Sequence, residues 1–287
     1  MILSTETEVI GERLGDEAAI KILCEAGFEA LDYSMFTMHD AKHPLNNDGY
    51  KEYALNLKKL ASEYGVSFNQ AHAPFPSCVE NGKEYNKITF DRIIRAMEVA
   101  SILDVKIIIV HPIDISDKTV MKQFNLDFFN SLKPYCEKFN IKVALENMWG
   151  WDKEKGTIIP NICSTGEMFC DYLDALDSRF FTACLDLGHC GLVGDDAAKM
   201  IRELGHDRLK ALHVHDNDFL HDSHTAPFVG KMDWEAITSA LAEINYDGDF
   251  TFEADFFYNP FPNDLLPVCA KFLHDIGRHL ISRIVNL

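Results

Sequence analysis

Positive charge is scarce: 27 Lys and Arg stand against 45 Asp and Glu in 287 residues, giving a net charge of -18. Long-range fields of that sign work against adhesion to phosphate backbones and anionic bilayers. Long apolar runs are missing as well, and no window approaches the roughly 20 apolar residues needed to span a bilayer. The first residues, MILSTETEVIGERLGDEA, have neither a basic start nor a long apolar stretch and are not read as a signal peptide. The eight cysteines form no CxxC pair, which suits free thiols in a reducing compartment, so a soluble, cytoplasmic protein is expected. No GxGxxG or Walker loop follows an apolar run, which argues against an open dinucleotide-binding sheet. Neither a Pro-, Gly- or Ser-rich linker nor a low-complexity tract divides the chain, so one domain over residues 1–287 is expected.

What is present is alternation. Eight short apolar or β-branched runs recur: MILST, FEALDYS, VSFNQAH, VKIIIVHP, IKVALEN, FTACLDLGH, LKALHVHD and DFTFEAD. Between them, segments such as 16–26, 88–103, 126–139, 166–176, 197–204 and 234–244 repeat apolar residues at three- and four-residue spacing, as helices lying on a sheet do. VKIIIVHP and IKVALEN are almost continuously apolar, which suits strands buried on both faces. Strand then helix, repeated eight times, predicts an α/β chain closed into a single (β/α)8 TIM barrel, a fold of about 250 residues. Ser164 or Thr165 can cap the helix that carries Glu167, and Asp233 the one that starts at Trp234. Gly27 and Gly248 stand where a helix gives way to a strand and are expected in left-handed turns.

Glu146, Asp186, His215 and Glu253 each end a separate apolar run. In a parallel barrel the C-terminal strand ends converge on one face, so four such residues can meet around one ion. One alone would read as a surface cap; four in the same position point to a metal. His72, His111, His189, Asp222 and His224 extend the set to nine donors. Two glutamates, an aspartate and a histidine make a mainly oxygen shell suited to Mn²⁺ or Mg²⁺, and further imidazoles move the preference towards Zn²⁺. No organic cofactor is indicated. A bound cation would polarise an oxygen of the substrate while Glu146 and Glu253, from different strands, move a proton on the neighbouring carbon. Trp149 and Trp151 follow Glu146, Phe75 follows His72, and Phe256, Phe257 and Tyr258 follow Glu253, giving flat walls for the C–H face of a sugar or a rim for a neighbouring subunit. Lys231 is the one cation near these motifs in sequence and is a candidate substrate contact.

The ordered motifs HAPFP, LEN, CLDLGH, HVHDND, GKMDW and FEAD resemble those of the xylose isomerase-like barrel superfamily of sugar isomerases, sugar epimerases and endonuclease IV. The resemblance implies a metal-dependent sugar or sugar phosphate isomerase or epimerase. Its ketose epimerases hold one metal through Glu, Asp, His and Glu, which maps onto Glu146, Asp186, His215 and Glu253; the glutamates serve as the acid/base pair and His189 contacts substrate. The alternative is a zinc-dependent abasic-site phosphodiesterase like endonuclease IV, whose additional ligands match His72, His111, His189, Asp222 and His224. The segment DNDFLHDSHTAPF carries no Lys or Arg, which favours a small carbohydrate partner over nucleic acid. A barrel that only binds a ligand is a third reading, and homo-oligomer formation is left open.

Overall fold

A computed structural model describes residues 1–285. Its elements are β1 (Leu3–Glu6), α1 (Glu8–Leu14), α2 (Asp16–Ala26), β2 (Ala30–Ser34), α3 (Tyr50–Glu63), β3 (Ser67–His72), α4 (Lys83–Ile102), β4 (Ile107–Ile109), α5 (Met121–Phe139), β5 (Lys142–Glu146), β6 (Trp149–Asp152), β7 (Thr157–Pro160), α6 (Gly166–Asp174), β8 (Phe181–Asp186), α7 (Leu187–Leu192), α8 (Ala197–Arg208), β9 (Leu209–His213), α9 (Trp234–Glu243), β10 (Phe250–Phe252) and α10 (Leu266–Val285). Eight strands run parallel in the order β10-β1-β2-β3-β4-β5-β8-β9. Val214 closes the ring: its N–H donates to Thr251 O at 2.9 Å and its carbonyl accepts from Glu253 N at 3.2 Å. This is the expected (β/α)8 barrel, with β6 and β7 added as an antiparallel hairpin after β5.

Strand alternation sorts side chains into two sets. Leu3, Leu31, Phe68, Ile108, Val143, Leu185, Leu212 and Phe252 join the apolar core shared with the helices. Ile109, Ala144, Cys184 and Ala211 form a separate small cluster. The partner set is otherwise polar: Ser4 Oγ donates to Asn69 Oδ1 at 2.7 Å, Asn69 Nδ2 to Asp249 Oδ2 at 3.1 Å, and Gln70 Nε2 to Asp32 Oδ2 at 2.8 Å. A polar barrel interior is tolerable because these groups satisfy one another.

All eight expected strands form, and the helix expected at 16–26 has those bounds. Thr165, not Ser164, caps α6 by accepting from Met168 N, while Asp233 caps α9 from Glu235 N and Ala236 N. Gly27 is left-handed at φ 107°, as expected. Gly248 is not: Asn245, at φ 53°, takes the turn after α9. Gly248 is small for a different reason, since a Cβ there would fall 2.6 Å from Lys210 O. No helix among the described residues is long and apolar enough to cross a membrane.

Candidate functional site

The strand ends build two layers of donors. In the inner layer Glu146, Asp186, His213 and Glu253, all buried, bring one ligand atom each within 4.8 Å of one another. His213 Nδ1 lies 3.4 Å from Glu146 Oε2 and 3.2 Å from Glu253 Oε2. Three of the expected quartet, Glu146, Asp186 and Glu253, therefore meet with His213 among them, while the fourth, His215, touches the group through Asp186. The cause is register: β9 pairs His213 with Asp186, so His213 stands level with the carboxylates. His215, two residues on and on the same side, sits further out with Nε2 at 2.9 and 3.0 Å from the oxygens of Asp186.

The expected histidines reach this layer too. His111 Nε2 is 2.9 Å from Glu146 Oε2, and His72 Nε2 is 3.3 Å from Glu253 Oε1. Burial alone would push Glu146 and Glu253 up; His213, with His111 for Glu146 and His72 for Glu253, holds both well below the usual carboxylate range. Burial acts on His72 in the opposite sense, and Asp32, 3.1 Å away, leads the forces that raise it to about 9.

His189, His215, Asp222 and His224 form the outer layer, again with ligand atoms within 4.8 Å. Backbone carbonyls set the histidine orientations: His189 Nδ1 donates to Asn147 O and His224 Nδ1 to Glu253 O, both at 2.8 Å. Each then presents Nε2 to Asp222, at 3.4 and 3.3 Å respectively. A neutral Nε2 cannot face a carboxylate at that range, so a proton or a cation must mediate. With no cation, Asp186 and Asp222 outweigh burial and raise His189 to about 10. His215 stacks on His224 with ring centroids 3.9 Å apart, and Gly188 makes room for it, because a Cβ there would fall 2.0 Å from His215 Cε1.

Two residues brace the layers without lining the mouth. Asn147 clamps the backbone of Asp186, donating from Nδ2 to its O at 2.9 Å and accepting from its N at 2.8 Å. Asp216 holds the loop after β9 by accepting from Phe228 N, Met232 N and Trp234 Nε1, which accounts for the joint occurrence of HVHDND and GKMDW.

Above the layers lies a cavity of about 630 Å³ lined, among the described residues, by seven carboxylates (Glu6, Glu8, Glu12, Glu146, Asp222, Glu253, Asp255), four histidines (His39, His111, His189, His224) and no Lys or Arg. Phe36, Phe75, Trp149 and Phe256 supply its apolar walls, and Trp149 Nε1 donates to Asp222 at 2.9 Å. Trp151 is exposed on the hairpin, Phe257 packs against the apolar core and Tyr258 is buried, so none of the three lines the cavity as the sequence suggested. Lys231 is also displaced. Anchoring by Asp216 turns its loop away, and Lys231 lines a smaller cavity with Asp195 and Asp196.

Sequence reasoning missed Glu6, Glu8, Asp32, His213 and Asp255. His213 carried a signal, since HVH places two imidazoles on one face of a strand. Glu6 needed only one more residue on the run MILST. Whether a cation fits is answered by the orphaned atoms: Glu146 Oε2, Glu253 Oε2, both nitrogens of His213, His72 Nε2 and His111 Nδ1 are buried without a hydrogen bond. Buried ionisable atoms left in this way call for a charge among them, so the residues present fit a metal.

Comparisons agree with this architecture. The uncharacterized protein y4fM of Sinorhizobium fredii is 26% identical over 268 residues, covering 84% of this chain and 83% of its own length. D-psicose 3-epimerase of Enterocloster bolteae is 24% identical over 234 residues, 77% of this chain and 71% of that protein. Among solved structures, a D-tagatose 3-epimerase-like protein superposes with TM-score 0.78 at 21% identity, covering 100% of this chain and 99% of its own. D-psicose 3-epimerase from Clostridium cellulolyticum H10 gives 0.74 at 17%, covering 98% and 99%. A family model, the xylose isomerase-like TIM barrel, matches residues 20–261, and the chain belongs to that family.

Proposed function

We propose that the protein is a metal-dependent epimerase or isomerase of a small, unphosphorylated sugar, with Glu146 and Glu253 as its acid/base pair. The carrying observation is the buried group of Glu146, Asp186, His213 and Glu253 beneath a cavity that holds no Lys or Arg. Glu146, Asp186 and Glu253, with His213 or His215, would hold the ion, and a divalent cation there supplies polarisation of a sugar oxygen that acidifies the adjacent C–H. Glu146 and Glu253 come from separate strands and reach a bound sugar from two sides. One, as carboxylate, takes the proton from carbon; the other passes a proton from its neighbouring imidazole, His72 at Glu253 or His111 at Glu146, to the opposite face. Trp149, Phe75 and Phe256 cover the apolar face of the sugar and exclude water. His189, oriented by Asn147, is placed to bind a hydroxyl. The epimerases among the similar proteins support the reading, and a lining without Lys or Arg among the described residues speaks against a phosphate group.

Metal-loaded protein incubated with D-psicose, D-tagatose or D-fructose in D₂O is expected to give an epimer carrying one solvent deuterium at the inverted carbon. An aldose–ketose isomer without deuterium would replace proton transfer by a hydride shift; no conversion of any ketose would sink the reading. The outer layer favours a second reading, a multinuclear phosphodiesterase, because His189, Asp222 and His224 present a further set of ligands. Three tightly held zinc ions per chain, with cleavage at an abasic site, would establish it.

A further inference from the structure

One wall of the cavity stands beside the two layers, its Asp255 Oδ1 3.9 Å from His224 Nδ1 of the outer one. Glu6, Glu8 and Asp255 bring carboxylate oxygens within 4.8 Å of one another, and all three line the cavity. Glu6 is 2% exposed and Asp255 4%. Both oxygens of Glu6 and Oδ2 of Asp255 are without a hydrogen-bond partner. His72 Nδ1, although 3.4 Å from Glu6 Oε1, is closer to Asp32 Oδ1, at 3.1 Å, and makes its hydrogen bond there. Arg13, the nearest cation in sequence, is spent on the carbonyls of Tyr258 and Phe261 at 3.1 and 2.7 Å. Buried carboxyl groups with unpaired oxygens facing a cavity call for positive charge, which bound protons supply while the cavity is empty and a ligand ammonium supplies in their place.

We propose that this wall is an ammonium-binding subsite, so that the substrate is a ketose or polyol carrying a protonated amine; the inference rests on the sugar reading and names its substrate class. The group offers three donors, whereas a hard divalent ion wants six or more oxygens or keeps its waters. Phe36, Phe75 and Phe256 line the same cavity, and aromatic faces attract an ammonium and cover the carbon that bears it. Glu6 also stands within 4.8 Å of ligand atoms on His72 and Glu253, which places the amine beside the carbon where Glu253 acts. The probe is therefore 1-amino-1-deoxy-D-fructose, compared by calorimetry with D-fructose and with its own N-acetyl derivative on the metal-loaded full chain. The amine is expected to bind about tenfold tighter than D-fructose, the scale of one charge-assisted hydrogen bond. N-acetylation should abolish that preference, and Glu8→Gln and Asp255→Asn should each reduce it several-fold. Equal or weaker binding of the amine, or binding of none of the three at millimolar concentration, overturns the subsite. So does a second Mn²⁺ per chain that Glu8→Gln removes. Preference for the amine without turnover keeps the subsite and sinks the epimerase reading, and turnover of D-fructose without preference does the reverse.

Discussion

The inside of the barrel and the jacket around it are made of opposite materials. In the jacket, Phe28, Phe129, Phe169, Phe250 and Phe252 are fully buried between strands and helices, and each large apolar side chain there contributes roughly 1.5–3 kcal/mol. Inside, the same strands present Ser4, Glu6, Asp32, Gln70, His72, Glu146, Asp186, His213, Thr251 and Glu253, all buried. Lower in the barrel these groups satisfy one another; at the C-terminal strand ends they do not. Stability therefore resides in the jacket, and the column inside it is held in an arrangement that folding alone does not favour.

A matched pair of substitutions tests that division. Glu253→Gln should lower turnover about 10³-fold or more, because it removes one member of the acid/base pair. Its stability at pH 7 should fall by less than a core truncation costs, since the carboxylate it loses is held ionised by His213 and His72, which can shed their protons once it is gone. Phe129→Ala should do the opposite. Phe129 is fully buried and packs edge-on against Phe128 and Phe181, with centroids 5.3 and 6.1 Å apart. Its loss should cost about 3–4 kcal/mol in urea titrations while metal bound per folded chain stays unchanged. Equal destabilisation by the two variants would erase the contrast between column and jacket.

Removing the metal sharpens the same point at smaller scale. An ion at a hundred times its Kd stabilises by about 2.7 kcal/mol if it binds only the folded chain. Chelation should lower the unfolding free energy of the parent protein by that amount. Asp186→Asn should respond far less, since it takes charge from the inner layer and also from the contact with His215. An identical response in parent and variant would place the ion elsewhere.

The jacket was easier to read from sequence than the column, for a physical reason. Apolar periodicity reports burial directly, and it located all eight barrel strands and the helices at 16–26, 88–103 and 234–244 to within a few residues. It did not mark α3 or α10, whose apolar stripes are interleaved with Lys, Glu, Arg and His, nor the WGWD hairpin. In the column the signal is a polar residue at an inward position, visible only once the strand's end and facing are known. Glu146, Asp186 and Glu253 announced themselves by ending apolar runs. His213 was hidden behind His215 because only the pairing of β9 with β8 decides which imidazole is level with the carboxylates. Lys231 shows the converse: proximity in sequence to GKMDW says nothing about a loop whose course Asp216 dictates.

At the cavity wall the column meets solvent, and Glu8 measures how far the dry interior extends. Burial first, then Asp255, pushes its carboxyl from 4.5 up to about 8, against an opposing pull from His72. In metal-stripped protein below pH 4.5 this carboxyl is protonated both folded and unfolded. Between pH 4.5 and 8 the unfolded chain releases the proton more readily, so the stability gained from holding it is lost as pH rises through that window. Glu8→Gln stays neutral throughout. It should match the parent near pH 4 and exceed it at pH 9, by about 1 kcal/mol once screening at this half-buried position is allowed for. Urea midpoints of parent and variant at the two pH values measure the difference. Coincident midpoints at pH 9 would mean that the wall is already solvated and that the contrast between the column and its surroundings ends at the strand tips.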